Sequence, residues 1–186
     1  MRTLSKAILL GSLSLLSVLV PLGLAAPATA GTFQFLIGTG PLCSLPGVSN
    51  PCPDVSRAAN GDTVAITGQG TLSLRPSSVT GSGTFVHKAP DGTVKAMGTW
   101  TAVRLMSFKS FGNSASLPAN FVGGQALILV ELSVGGTVVH TAVLKVICDV
   151  GNPPTGVMEG IRLAVQDTPF NFNQQVSGLT LFISQA

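Results

Sequence analysis

Tyrosine is missing from this chain, tryptophan occurs once, histidine twice and cysteine three times in 186 residues. Each scarcity narrows the functions open to it. A sugar platform stacks its ligand on several exposed rings, and a chain with no Tyr and one Trp is poorly equipped for that. His87 and His140 do not fall at His-x-His or His-x-x-x-His spacing, which argues against a tetrahedral zinc site. Asp54, Asp62, Asp91, Asp149 and Asp167 stand singly, without the D-x-D pattern of a calcium loop. No Gly-x-Ser-x-Gly elbow occurs; Gly81-Ser82-Gly83 resembles one in spelling only, because it leads into a strand and not a strand-to-helix turn. Neither a metal nor any other cofactor is expected.

Charge is equally sparse. Asp, Glu, Lys and Arg make up 9% of the chain, and no run or stripe of Lys and Arg is present. A nucleic-acid partner, which needs clustered cations to neutralise phosphates, is therefore not expected. Apolar residues reach 45%, too many for a disordered product.

One long apolar run is present, and it lies at the start. Arg2 and Lys6 form a short basic region, Ala7 to Leu24 is apolar, and Ala28-Thr29-Ala30 supplies the small-x-small pattern of a signal-peptidase site. Residues 1–30 read as a signal peptide and residues 31–186 as a single secreted β domain, extracellular once cleaved. A retained anchor is the alternative, since the run approaches the ~20 residues that span a bilayer; Pro21, Gly23 and the cleavage pattern favour removal. No second such run follows, so no membrane partner is expected after cleavage. With Arg2 and Lys6 gone the formal charge falls from +3 to +1.

In an oxidising compartment two of Cys43, Cys52 and Cys148 should pair. Cys43 and Cys52 bracket a Pro-rich segment with no apolar periodicity to fix it. A bridge between them would close a loop of about ten residues and stabilise by roughly 2.5–3 kcal/mol on the chain-entropy model. Cys148 is then a buried thiol at a strand end; its pairing with either of the others is the rival.

What the sequence does contain is extended structure. Thr32–Ile37 reads as a strand and Gly38–Asn60 as a loop. Thr63–Thr67 and Thr71–Leu74 follow, with a bulge or bend at Gly68-Gln69-Gly70. Thr84–Lys88 and a long strand from Thr93 to Phe108 flank the turn Ala89-Pro90-Asp91-Gly92, where Pro sets the second position and Gly takes positive φ. Gln125–Val134 and Thr137–Val150 flank Gly135-Gly136, a two-residue hairpin connection. Ile161–Val165 and Gly178–Ile183 close the chain, with Thr168–Phe172 as a short edge. No segment keeps helical periodicity over three turns. The fold expected is all-β: a small antiparallel barrel, or alternatively a two-sheet sandwich, of seven to nine strands with almost no helix. The mixture of small residues and one large ring in Val94, Ala96, Gly98, Trp100 and Ala102 suits the tapering interior of a barrel.

Candidate sites are few. Counting back from Gly135-Gly136 sets Glu131 opposite His140 on one face, and a carboxylate beside an imidazole is the equipment of a general acid or base. The plainer reading is a cross-strand pair worth up to about 1 kcal/mol. Arg104 is in phase with Trp100, so a guanidinium beside an indole wall would suit an anionic head group inside a barrel, unless a bulge turns the Arg outward. His87 is expected to be exposed beside Lys95.

Three functions follow from these readings. The first is a secreted, non-catalytic domain acting through surface contacts or self-association, because both faces of the Gln125–Cys148 hairpin carry Leu, Ile and Val. The second is a small barrel binding an apolar or anionic amphipathic ligand at Trp100 and Arg104. The third is a barrel enzyme, an isomerase or hydrolase, using Glu131 and His140.

Overall fold

The computed structural model describes residues 31–185; the leader expected over residues 1–30 lies outside the described residues. Ten strands run β1 Thr32–Ile37, β2 Asp54–Ala58, β3 Thr63–Leu74, β4 Ser77–Lys88, β5 Val94–Asn113, β6 Phe121–Val134, β7 Thr137–Cys148, β8 Gly160–Val165, β9 Asn171–Ser177 and β10 Thr180–Gln185. Among the described residues the helical structure is a single 3-10 turn, Gly40–Ser44. The strand count exceeds the seven to nine expected, in part because β2 lies inside the segment read as a loop. Its alternate residues Asp54 and Ser56 point inward, so it carries no apolar alternation to announce it.

Every pairing is antiparallel, and the sheet closes on itself. Strands β3 to β6 make a continuous wall. On the free side of β3, residues 63–66 pair with β2 and residues 68–73 with β1. On the free side of β6, residues 124–134 pair with β7 and residues 121–122 with β10. The remaining wall is thus split at mid-height. At one end it runs β2-β9-β8-β7 and completes an eight-stranded ring; at the other it runs β1-β10 and makes a six-stranded ring that is open between β4 and β5. In the narrow ring the β4–β5 pairing stops at Ser82 and Thr101, and Phe108 packs there against Phe33 and Phe182.

The interior is filled by alternate residues of each strand, as the pleat requires. Along β6 the inward set is Ala126, Ile128, Val130 and Leu132, and along β7 Ala142, Leu144 and Val146, all buried. One face of that hairpin is therefore core.

The glycines of β3 and β4 form no bulge. Gly68 faces Gly83 and Gly70 faces Gly81 across a continuous ladder. A Cβ on Gly68 would meet the Trp100 ring at 2.4 Å, and one on Gly70 the Phe35 ring at 2.5 Å. These positions are empty so that two large rings can lie against bare backbone. Trp100 is fully buried and donates its indole N–H to Thr67 O at 2.9 Å.

Cys43 and Cys52 are bonded, with their Cα atoms 5.2 Å apart, and Cys148 is a buried thiol. Burial pushes that thiol up to about 12.

Candidate functional site

The wide ring ends in the turns Ala59–Asp62, Ala89–Thr93, Gly135-Gly136 and 166–170, and a cleft of about 260 Å³ opens among them. That lies between the ~150 Å³ that admits benzene and the ~300 Å³ at which drug-sized pockets begin. Its floor is apolar: Val64, Phe85, Leu132, Leu163 and Phe172. Its polar members are His87, Lys95 and His140.

Behind the cleft is Asp62, 1% exposed, at the foot of β3. Its Oδ2 accepts hydrogen bonds from Lys95 Nζ and from His87 Nε2, each at 2.8 Å. The Lys95 ammonium first, and the His87 N–H second, hold the Asp62 carboxyl below the usual carboxylate range. His87 is 12% exposed and meets the rings of Phe170 and Phe172 edge-on, at 4.9 and 5.2 Å between centroids. It is therefore not the exposed neighbour of Lys95 that its place in the sequence implies.

Two β-bulges aim these side chains. Between β4 and β5, His87 pairs with Ala96 and Lys88 with Val94, leaving Lys95 as the extra residue. Lys95 thereby joins the inward-facing set and reaches Asp62. Between β6 and β7, Leu132 pairs with His140 and Ser133 with Val138, leaving Val139 extra. His140 thereby stands beside Leu132 at the rim of the cleft. A bulge is the ordinary means of re-aiming one side chain without disturbing the rest of a strand.

The same bulge corrects the expected Glu131–His140 pair. Glu131 lies opposite Thr141, and His140 one register step away on the other face. Adjacent steps point to opposite sides of a sheet. Glu131 belongs to the outer surface with Thr101, and His140 to the cleft.

Arg104 and Trp100 are separated in the same way. An extra residue at Val103 pairs Arg104 with Leu129 on the outer face, where it is exposed, while Trp100 pairs with Leu132 inside. Trp100 is core, and neither it nor Arg104 lines the cleft at the wide end. The bulges also turn apolar side chains outward: Val103 and Met106 are 48% and 46% exposed.

The contribution of Asp62 is the piece that sequence reasoning missed. The signal was the turn at Arg75-Pro76. Counting back from it pairs Val64 with His87 and sets Asp62 two residues beyond Val64, on the same face, but the Ser- and Gly-rich run 77–83 does not read as a strand.

No family model, curated protein or solved structure matches the chain. No helix among the described residues is long and apolar enough to cross a membrane.

Proposed function

We propose that the protein is an exported binding barrel whose wide end takes a small, largely apolar molecule carrying one carbonyl oxygen. The observation that carries this reading is a cleft with an apolar floor and few polar groups, His140 at the rim and His87 with Lys95 at one corner, where Lys95 is anchored through Asp62. Asp62 uses one ammonium hydrogen and leaves two for a ligand oxygen. The apolar floor supplies affinity and the corner supplies orientation, the usual division in small-molecule sites. Trp100 and Arg104 take no part. Export belongs to the same reading: the leader of residues 1–30 and the Cys43–Cys52 bond both suit an oxidising compartment.

Acetophenone, an eight-carbon ketone, is a suitable probe. Titrated into ¹⁵N-labelled protein, it should shift the amides of Val64, Phe85, Leu132 and Leu163 in a saturable manner. Ethylbenzene, which lacks the oxygen, should bind more weakly. Lys95→Met should weaken the ketone about tenfold, the value of one hydrogen bond to a charged donor. Absence of any shift at millimolar ketone, or equal binding of ketone and hydrocarbon, would overturn the reading.

A further inference from the structure

The polar corner holds more than binding requires. Asp62 is an ionised carboxylate and so only accepts; the ring nitrogen bonded to it, His87 Nε2, must carry the hydrogen. The neutral ring then bears its lone pair on Nδ1. Among the described residues Nδ1 makes no hydrogen bond, and the one buried side-chain polar atom left without a partner is Asp54 Oδ2, elsewhere in the molecule. Nδ1 is therefore accessible, on a side chain that lines the cleft.

A base and a cation thus flank one small apolar space. His87 Nε2 and Lys95 Nζ each lie 2.8 Å from the same Asp62 oxygen, which sets the imidazole and the ammonium side by side at the cleft. The base nitrogen Nδ1 stands across the ring from Nε2, so a carbonyl compound lying along the ring can put its oxygen at the ammonium and its α C–H at Nδ1.

We propose that His87 is a general base that removes a proton from the carbon next to the carbonyl of a ligand bound in this cleft, making the barrel an isomerase of small enolisable ketones. This rests on the binding reading above. In the step, the C–H bond breaks and its proton joins Nδ1. The electron pair forms a Cα=C double bond, and the carbonyl π pair moves to oxygen, where the Lys95 ammonium stabilises the enolate. The ring, now an imidazolium, returns the proton to the same carbon or, in a β,γ-unsaturated ketone, to the γ carbon, giving the conjugated isomer. No oxidant or reductant is needed. Asp62, His87, Lys95 and ketone sum to zero charge before the transfer and after it, so the cleft never holds an uncompensated charge. Asp62 is a positioning residue: it fixes the tautomer and faces the imidazolium when that forms. Enclosing such a pair in an apolar cleft strengthens both interactions relative to water.

The test is loss of the acetophenone methyl signal in D₂O, followed by proton NMR, with binding measured separately by saturation transfer. The protein should exchange those protons 10²–10⁴ times faster than free imidazole at equal concentration, the range of a positioned general base. His87→Gln should abolish exchange while the ketone still binds. Should that variant fail to fold, diethylpyrocarbonate gives a second route on the unaltered protein. Exchange should stop in step with acylation of His87, located by peptide mass mapping, and return with hydroxylamine, which frees acylated histidine but not acylated lysine. Asp62→Asn should remove the preference for Nε2–H in the ¹⁵N ring shifts as well as slow the exchange. Binding without exchange above imidazole would overturn the proposal and leave the binding reading standing; absence of binding would overturn both. Exchange that survives loss or acylation of His87 would also overturn it.

Discussion

Two buried carboxylate clusters, one behind the cleft and one at the seam where the wall divides, begin from the same ingredients and end in opposite states. At the cleft, Asp62 faces a lysine and a histidine, and its proton is held off. At the seam, Asp54 is fully buried where β2 passes the links into and out of β1 and β10, closed in by Gly38 and Gly178. Its Oδ1 accepts one backbone hydrogen bond, from Ile161 N at 3.1 Å, and its Oδ2 none. Glu159 accepts from Asp149 N, Thr180 N and Thr180 Oγ1 at 2.7–2.8 Å. Burial nevertheless pushes Asp54 and Glu159 each up to about 7. Arg162 acts on both at longer range, its guanidinium turned instead to backbone carbonyls and Gln175. A direct ammonium keeps a carboxylate ionised; burial among backbone dipoles with only a distant cation leaves a carboxyl that holds its proton up to about pH 7.

The largest expected effect follows from that contrast. Unfolded carboxyls ionise near pH 4. Between about pH 4 and 7 the folded protein keeps two protons that the unfolded chain has released, so stability falls as pH rises through that window. The loss is on the order of 4 kcal/mol per group at most. Urea unfolding at pH 5 and pH 8 should show a clearly higher midpoint at pH 5. Asp54→Asn, which copies the neutral acid, should about halve that slope, Glu159 supplying the rest, and a midpoint higher at pH 8 would break the comparison.

Asp62 should behave with the opposite sign. Its depressed value contributes stability above the unfolded pKa near 4, and that stability is lost as pH falls through the folded value. A stability maximum at about pH 4 is the combined result. Asp62→Asn should lower the midpoint of thermal unfolding by a few degrees at pH 6 while leaving the slope between pH 5 and 8 intact. Loss of that slope in Asp62→Asn would merge the two clusters into one.

The smallest effect sharpens the boundary of the site. Arg104→Ala and Glu131→Gln alter exposed or outward-facing side chains, and each should change stability by less than about 0.5 kcal/mol and leave ketone binding unchanged. Weaker binding in either, by NMR titration, would return the outer face to consideration.

The elements legible in the sequence are those whose turns have their own chemistry. Pro90-Asp91-Gly92 and Gly135-Gly136 mark two hairpins, and the apolar run Thr32–Ile37 coincides with β1. Strand β9, Asn171–Ser177, is mostly polar, and β2 buries Asp54 and Ser56, so neither has the alternation that identifies a strand without its neighbours. The site suffered most from bulges. Val103, Lys95 and Val139 carry no local sign of being the extra residue; the packing of facing strands decides it. One uncounted residue at Val139 was enough to move His140 from an expected carboxylate partner to the edge of a cleft. The Asp62–His87 contact spans 25 positions and depended on recognising a strand made of Ser, Thr and Gly.

The bare backbone of Gly68, Gly70, Gly81 and Gly83, with Phe35 and Trp100 lying on it, makes the molecule a cup and not a tube. Whatever enters at the wide mouth must leave by the same opening, so exchange of a guest depends on the four turns at the brim and cannot be drawn through from the other end.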